Sequence, residues 1–261
     1  MIKVNHEVPK CLLYDSRIFN EYDFCLPHLL DKDEKYKEYF YNAKEIGRYV
    51  IMDNSLHELG EAYDHKRLLY WVNELKPNEF IVPDVWEDKI GTLVNAKHFL
   101  QYEYPEETTL MAVVQGKTYA EMYECYYLLK NLGYKKIAFS YGGSVYNDIS
   151  GMEGIKGKAR GRVSLIFDLY EKGIIIKTDR IHLLGCAVPQ EFLWYKDLPF
   201  IESLDTSNPI MAAIDGMKYG VDGLQEKPQA NINNSFDIDF FGINHELINY
   251  NTQKFREINR L

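Results

Sequence analysis

In Ile201-Glu202-Ser203-Leu204-Asp205-Thr206-Ser207-Asn208-Pro209 a short apolar run stops on a carboxylate and passes at once into a proline-led stretch. Proline suits the first turn of a helix, and Asp, Thr, Ser and Asn all cap helices well, so the segment reads as strand, turn, helix. Five more runs end in the same way: Val50-Ile51-Met52-Asp53, Phe80-Ile81-Val82-Pro83-Asp84, Ala112-Val113-Val114-Gln115-Gly116, Ile137-Ala138-Phe139-Ser140-Tyr141-Gly142-Gly143 and Ile181-His182-Leu183-Leu184-Gly185. With Cys11-Leu12-Leu13-Tyr14-Asp15 they make seven strands, and an eighth candidate lies near Val221-Asp222-Gly223-Leu224-Gln225. Helices are expected between them at about 64–76, 87–103, 118–132, 158–173, 188–196 and 208–218, and a last amphipathic one at about 244–259. Gly133 suits the end of the third, where a left-handed residue is needed.

This alternation implies parallel strands with right-handed crossovers, and 261 residues is the usual length of one (β/α)8 TIM barrel. We therefore expect a single barrel domain over residues 1–261. An open doubly wound sheet is the alternative, but no G-x-G-x-x-G follows the first strand. In a barrel the chemistry sits at the carboxyl ends of the strands, so the polar residues that stop these runs are candidates for one site.

The formal charge of −9 argues against a general polyanion binder, whose affinity needs clustered cations. One cluster stands out, Lys156-Gly157-Lys158-Ala159-Arg160-Gly161-Arg162, readable as a solvated loop entering a helix. Cys11, Cys25, Cys125 and Cys186 show no C-x-x-C spacing, which suggests reduced structural thiols and no zinc cluster. No apolar stretch nears the roughly 18 residues that span a bilayer, and the first residues lack a secretory signal, so a cytoplasmic placement away from membranes is expected.

Each strand-end carboxylate has two readings. Asp205, near a helix N-terminus where an anion is stabilised, fits a nucleophile or a helix cap, and Thr206, Ser207 or Asn208 can do the capping in its place. Asp53 and Asp84 fit caps or members of a carboxylate set that divides nucleophile and acid/base roles. Gln115 offers a donor and an acceptor to an amide or purine edge, and Gly116 and Gly142-Gly143 let backbone approach a ligand. His182 reads as a satisfied barrel-interior residue, and His57 as a loop residue.

Taken in order, Met52-Asp53-Asn54-Ser55, Val82-Pro83-Asp84, Val113-Val114-Gln115-Gly116 with Thr118-Tyr119, Leu132-Gly133-Tyr134 through Gly142-Gly143, Ile181 to Gly185 with Pro189, and Ser203 to Pro209 resemble the tRNA-guanine transglycosylase superfamily. The resemblance is strongest to its short phage-type branch, which inserts 7-deazaguanine bases into DNA. It implies a (β/α)8 barrel with Asp205 as nucleophile toward C1′ and Asp53 as general acid/base. It also implies Asp84 and Gln115 reading the purine, Gly143 as a backbone contact, and Leu184 with Gly185 packing on the base. Lys156, Lys158, Arg160 and Arg162 become a candidate clamp for the nucleic-acid backbone.

The implied partners are DNA, guanine and a 7-deazaguanine base of the nitrile or aminomethyl type, with no cofactor and no metal. The zinc-binding C-x-C-x-x-C plus His of the tRNA enzymes has no counterpart after Asp205, which favours DNA over tRNA. The family's glycine pair after the acid/base is replaced by Asn54-Ser55, leaving Leu56 or His57 as stacking candidates. Queuine-type exchange into tRNA, a silent nucleobase- or nucleic-acid-binding barrel and a glycoside hydrolase are the alternatives. Trp71, Trp86 and Trp194 stand outside the strand-end motifs, which weighs against sugar subsites.

Overall fold

The computed structural model of the chain describes residues 2–261. Its strands are β1 (Lys3–Asn5), β2 (Asp23–Cys25), β3 (Val50–Met52), β4 (Glu79–Ile81), β5 (Thr109–Val114), β6 (Lys136–Phe139), β7 (Ile181–Leu183) and β8 (Ile201–Asp205). Their order in the sheet is β1-β8-β7-β6-β5-β4-β3-β2, the described pairings are parallel, and helical segments connect the strands. This is the α/β (β/α)8 TIM barrel expected from the sequence. The chain divides into two compact units, a middle one of Glu21–Phe139 and an outer one formed by the segment up to Asn20 with Ser140–Leu261.

In the middle unit β2 to β6 pair in sequence order, and β2, β3, β4 and β6 are buried along their whole length. Two charged residues at strand starts are buried because each has a partner. Asp23 takes the Arg48 guanidinium at 2.5 Å and the Tyr39 hydroxyl at 2.8 Å, and Glu79 takes Lys136 at 2.6 Å. The helix His65–Leu75 turns Leu68, Trp71, Val72 and Leu75 inward at the 3–4 residue spacing of one face. Thr118 caps Tyr119–Asn131 by accepting from the Glu121 N–H, and Gly133 beyond its end adopts φ +100°.

In the outer unit β8 is flanked by β1 and β7, with Asn5 opposite Asp205. The helix Gly154–Glu171 packs on Val145–Ser150 through Gly157 and Gly161, where a Cβ would collide with the carbonyl oxygens of Met152 and Tyr146. The stretch expected as a helix at 188–196 is a 3-10 helix, Pro189–Tyr195, and the helices expected at 208–218 and 244–259 are Asn208–Ile214 and His245–Asn259.

Two strand expectations are overturned. Cys11–Asp15 lies in successive 3-10 turns, Lys10–Leu12 and Asp15–Ile18, held by i to i+3 bonds such as Leu12 N–H to Pro9 O. Val221–Gln225 forms a tight turn with a single Gly220–Gly223 bridge, closed by Gly223 at φ +80°. The remaining two of the eight strands are β1 and β2, three residues each, at the two ends of the sheet order.

Candidate active site

Asp205 is the last residue of β8, and it is not the cap of the helix that follows. Thr206 Oγ1 accepts from the Asn208 N–H at 3.2 Å, leaving the Asp205 carboxylate to other donors. Side chains two apart on a strand share a face, so Ser203 and Asp205 project together. A register shift between Ile181 and His182 sets His182 opposite Ser203. The imidazole reaches both residues: Nε2 lies 2.9 Å from Asp205 Oδ1 and Nδ1 lies 2.8 Å from Ser203 Oγ. An ionised carboxylate only accepts, so in a neutral ring Nε2–H donates to Asp205 and the Ser203 hydroxyl donates to Nδ1.

The second carboxylate oxygen, Oδ2, accepts from the Gly185 N–H at 3.3 Å. Gly185 holds φ +59°, and a Cβ there would collide with the Tyr141 ring, so only glycine fits this turn. Asp205 is thus buried with both oxygens held, which fixes the plane of its carboxylate.

The middle unit carries a second polar cluster at strand ends. Asp84, past β4, accepts from Asn54 Nδ2 at 2.7 Å on one oxygen and from Gln115 Nε2 at 2.6 Å on the other. Asn54 also donates to Val82 O, and Gln115 Oε1 accepts from the Glu87 N–H, so both amides are fixed in orientation. Burial pushes the Asp84 carboxyl up, and the two amide donors oppose that shift. The capping role open to Asp84 falls to Asp88, which accepts from Ile90 and Gly91 ahead of Lys89–Phe99.

Asp53 follows β3 and its Oδ2 accepts from the Ser55 N–H at 2.8 Å. Ser55 holds φ +61°, a strained conformation for a residue with a side chain, and its hydroxyl lies 2.8 Å from His28 Nδ1. Burial lowers the His28 pKa to about 4. Leu56 is half-buried and His57 exposed on the short helix Leu56–Leu59.

Asp53, Asp84 and Gln115 therefore stand in one unit, and Asp205, Leu184, Gly185, Gly142 and Gly143 in the other. Leu184 is half-buried beside Gly185. Gly116 makes room for its own chain, since a Cβ would collide with Glu121 at the start of the next helix. Gly143 is buried, with ordinary space around a Cβ.

The cation cluster lies on a helix and is split by it. Lys156 and Arg160 are exposed, Lys158 donates to Gly142 O at 2.6 Å, and Arg162 is wholly buried. Arg162 is thereby corrected as a nucleic-acid contact, since its guanidinium is occupied by Glu191 at 2.6 Å and by two backbone carbonyls. Reading the sequence missed Asn54 as the partner of Asp84, and it missed His182 as the partner of Asp205. The signal for His182 was present: it precedes the end of one strand as Ser203 and Asp205 end the next.

Among the described residues no group of three or more His, Cys, Asp or Glu side chains could hold a metal ion, and no helix is long and apolar enough to cross a membrane. All four cysteines are free thiols, three of them buried. The fold and site together define a (β/α)8 protein with buried, hydrogen-bonded carboxylates at its strand ends. No family model matches the chain, and no curated protein matches it.

Proposed function

We propose that this protein is a cytoplasmic DNA-guanine transglycosylase, which exchanges guanine for a 7-deazaguanine base through a covalent glycosyl-Asp205 intermediate. The observation that carries the reading is the Asp205 carboxylate, buried at the end of β8, released from capping and held at both oxygens by His182 and Gly185. A nucleophile needs this: a fixed plane and lone pairs still available for attack. Asp84 between two oriented amides supplies the second support, because a carboxylate flanked by Asn54 and Gln115 suits the N–H edge of guanine. Both clusters stand at the carboxyl ends of their strands, the end at which barrel enzymes do their chemistry.

In this reading an Asp205 oxygen attacks C1′ while the C1′–N9 bond breaks and its electron pair passes to the purine. A proton from Asp53 neutralises the departing guanine. The incoming base then returns a proton to Asp53 and its N9 displaces Asp205 from C1′, so two inversions retain the configuration. A wrong base would fail to meet the lone pairs that Asp84 keeps beside its two amide donors, which is the source of selectivity. A target in a duplex must leave its stack to reach these groups. Ser55 fits the resemblance as well, since a left-handed residue stands where the family carries a glycine pair.

The test is release of radiolabelled guanine from DNA and, separately, from tRNA on addition of a 7-deazaguanine base. We expect exchange into DNA that is abolished by Asp205→Asn. Exchange confined to tRNA would transfer the same chemistry to that substrate, and full activity of Asp205→Asn on either would end the assignment.

A further inference from the structure

Arg162 and Glu191 are an ion pair with neither side chain exposed. Removing two charges from water is costly, and the pair survives only if the remaining donors are also satisfied. Nη1 of Arg162 donates to Leu184 O and Nη2 to Gly185 O, each at 2.9 Å, while Nε donates to Glu191 Oε1 at 2.6 Å. Glu191 Oε1 is steadied in turn by the Tyr195 hydroxyl at 3.1 Å. Two successive carbonyls can face one guanidinium only if the chain turns sharply between them, and the left-handed Gly185 makes that turn. The same turn aims the Gly185 N–H at Asp205 Oδ2.

We infer that Arg162 is a positioning residue: it clamps the Leu184–Gly185 turn so that Gly185 holds the Asp205 carboxylate, and it does not touch nucleic acid. The kinetic consequence rests on Asp205 being the nucleophile; the clamp itself does not. Lysine keeps the charge but has one nitrogen, so it cannot serve Glu191 and both carbonyls in the fixed fork of arginine.

The experiment uses Arg162→Lys in the full chain. Labelling with 13C-carbonyl leucine and 15N-glycine singles out the three Leu-Gly amides, at Gly60, Gly133 and Gly185. In the wild type the Gly185 amide proton should shift as a carboxylate titrates, and in Arg162→Lys that response should be lost. In the exchange assay kcat should fall about 100-fold, the size of effect that misplacing a catalytic group has. The KM for DNA and its salt dependence should stay unchanged. A wild-type Gly185 response with wild-type kcat overturns the inference, as does weaker DNA binding with a shallower salt dependence.

Should Arg162→Lys not fold, Arg162→Met with Glu191→Leu removes both buried charges, a change that cores often tolerate. A folded double variant that keeps the wild-type Gly185 response overturns the clamp. If the wild type exchanges no base from DNA or tRNA, the proposed function fails while the Gly185 amide still decides the role of Arg162.

Discussion

Lys156, Lys158, Arg160 and Arg162 follow one another at a spacing of two, which on a helix puts i and i+4 on one face and divides the four into two pairs. Lys156 and Arg160 reach solvent, while Lys158 and Arg162 turn to Gly142, Leu184 and Gly185. Composition could name the cluster, but only the helical phase separates a surface pair from a structural pair. The proposed nucleic-acid contact therefore falls to the exposed pair. Lys156→Gln with Arg160→Gln should lower the slope of log affinity for DNA against log salt by about 2 and leave free-base binding intact, measured by anisotropy over a salt series. An unchanged slope would leave both cations as plain solvated charges. His182 shows the opposite case: it is a satisfied interior residue, as its place in a strand suggests, and one of the groups that satisfy it is Asp205.

At the scale of elements, the six strands that stop on polar or glycine residues are all present, because each is an apolar run bounded by turn chemistry. The helices expected at 64–76, 118–132 and 244–259 fall within a residue or so of His65–Leu75, Tyr119–Asn131 and His245–Asn259, since capping residues and Gly133 mark their ends. What stayed illegible has a physical cause. Lys3-Val4-Asn5 and Asp23-Phe24-Cys25 are too short and too polar to show a period, and the burial of Asp23 depends on Arg48, 25 residues away. Cys11–Asp15 is apolar enough for a strand, yet local i to i+3 bonds fold it into turns, a competition that composition does not resolve. The same limit applies to the site. The end residues of strands were readable, whereas the partners that orient them depend on register, as the shift at Ile181/His182 shows.

For the whole molecule, acid stability follows from two buried histidines, one in each unit. Burial lowers His6 to about 3 and His28 to about 4, from an ordinary value of 6.5. Below pH 6.5 the unfolded chain takes up protons that the folded chain refuses, so stability falls as pH drops from 6.5 toward 4 and, for His6, toward 3. Burial pushes the carboxyls of Asp84 and Glu191 up, which opposes this trend. The histidine part is isolated by comparison with His28→Asn, whose amide can still bond Ser55. Urea midpoints of the wild type should fall more steeply than those of the variant between pH 6.5 and 4, and parallel profiles would contradict the burial of a neutral His28.

The proposed exchange turns on one bond, between Asp205 and C1′ of the nucleotide. The protein is incubated with guanine-containing DNA without an incoming base, denatured and digested, and its peptides are weighed by mass spectrometry. We predict a denaturation-resistant sugar adduct on the peptide that carries Asp205, absent from Asp205→Asn and discharged when a 7-deazaguanine base is added before denaturation. An adduct on another residue, or exchange that persists in Asp205→Asn, would contradict it.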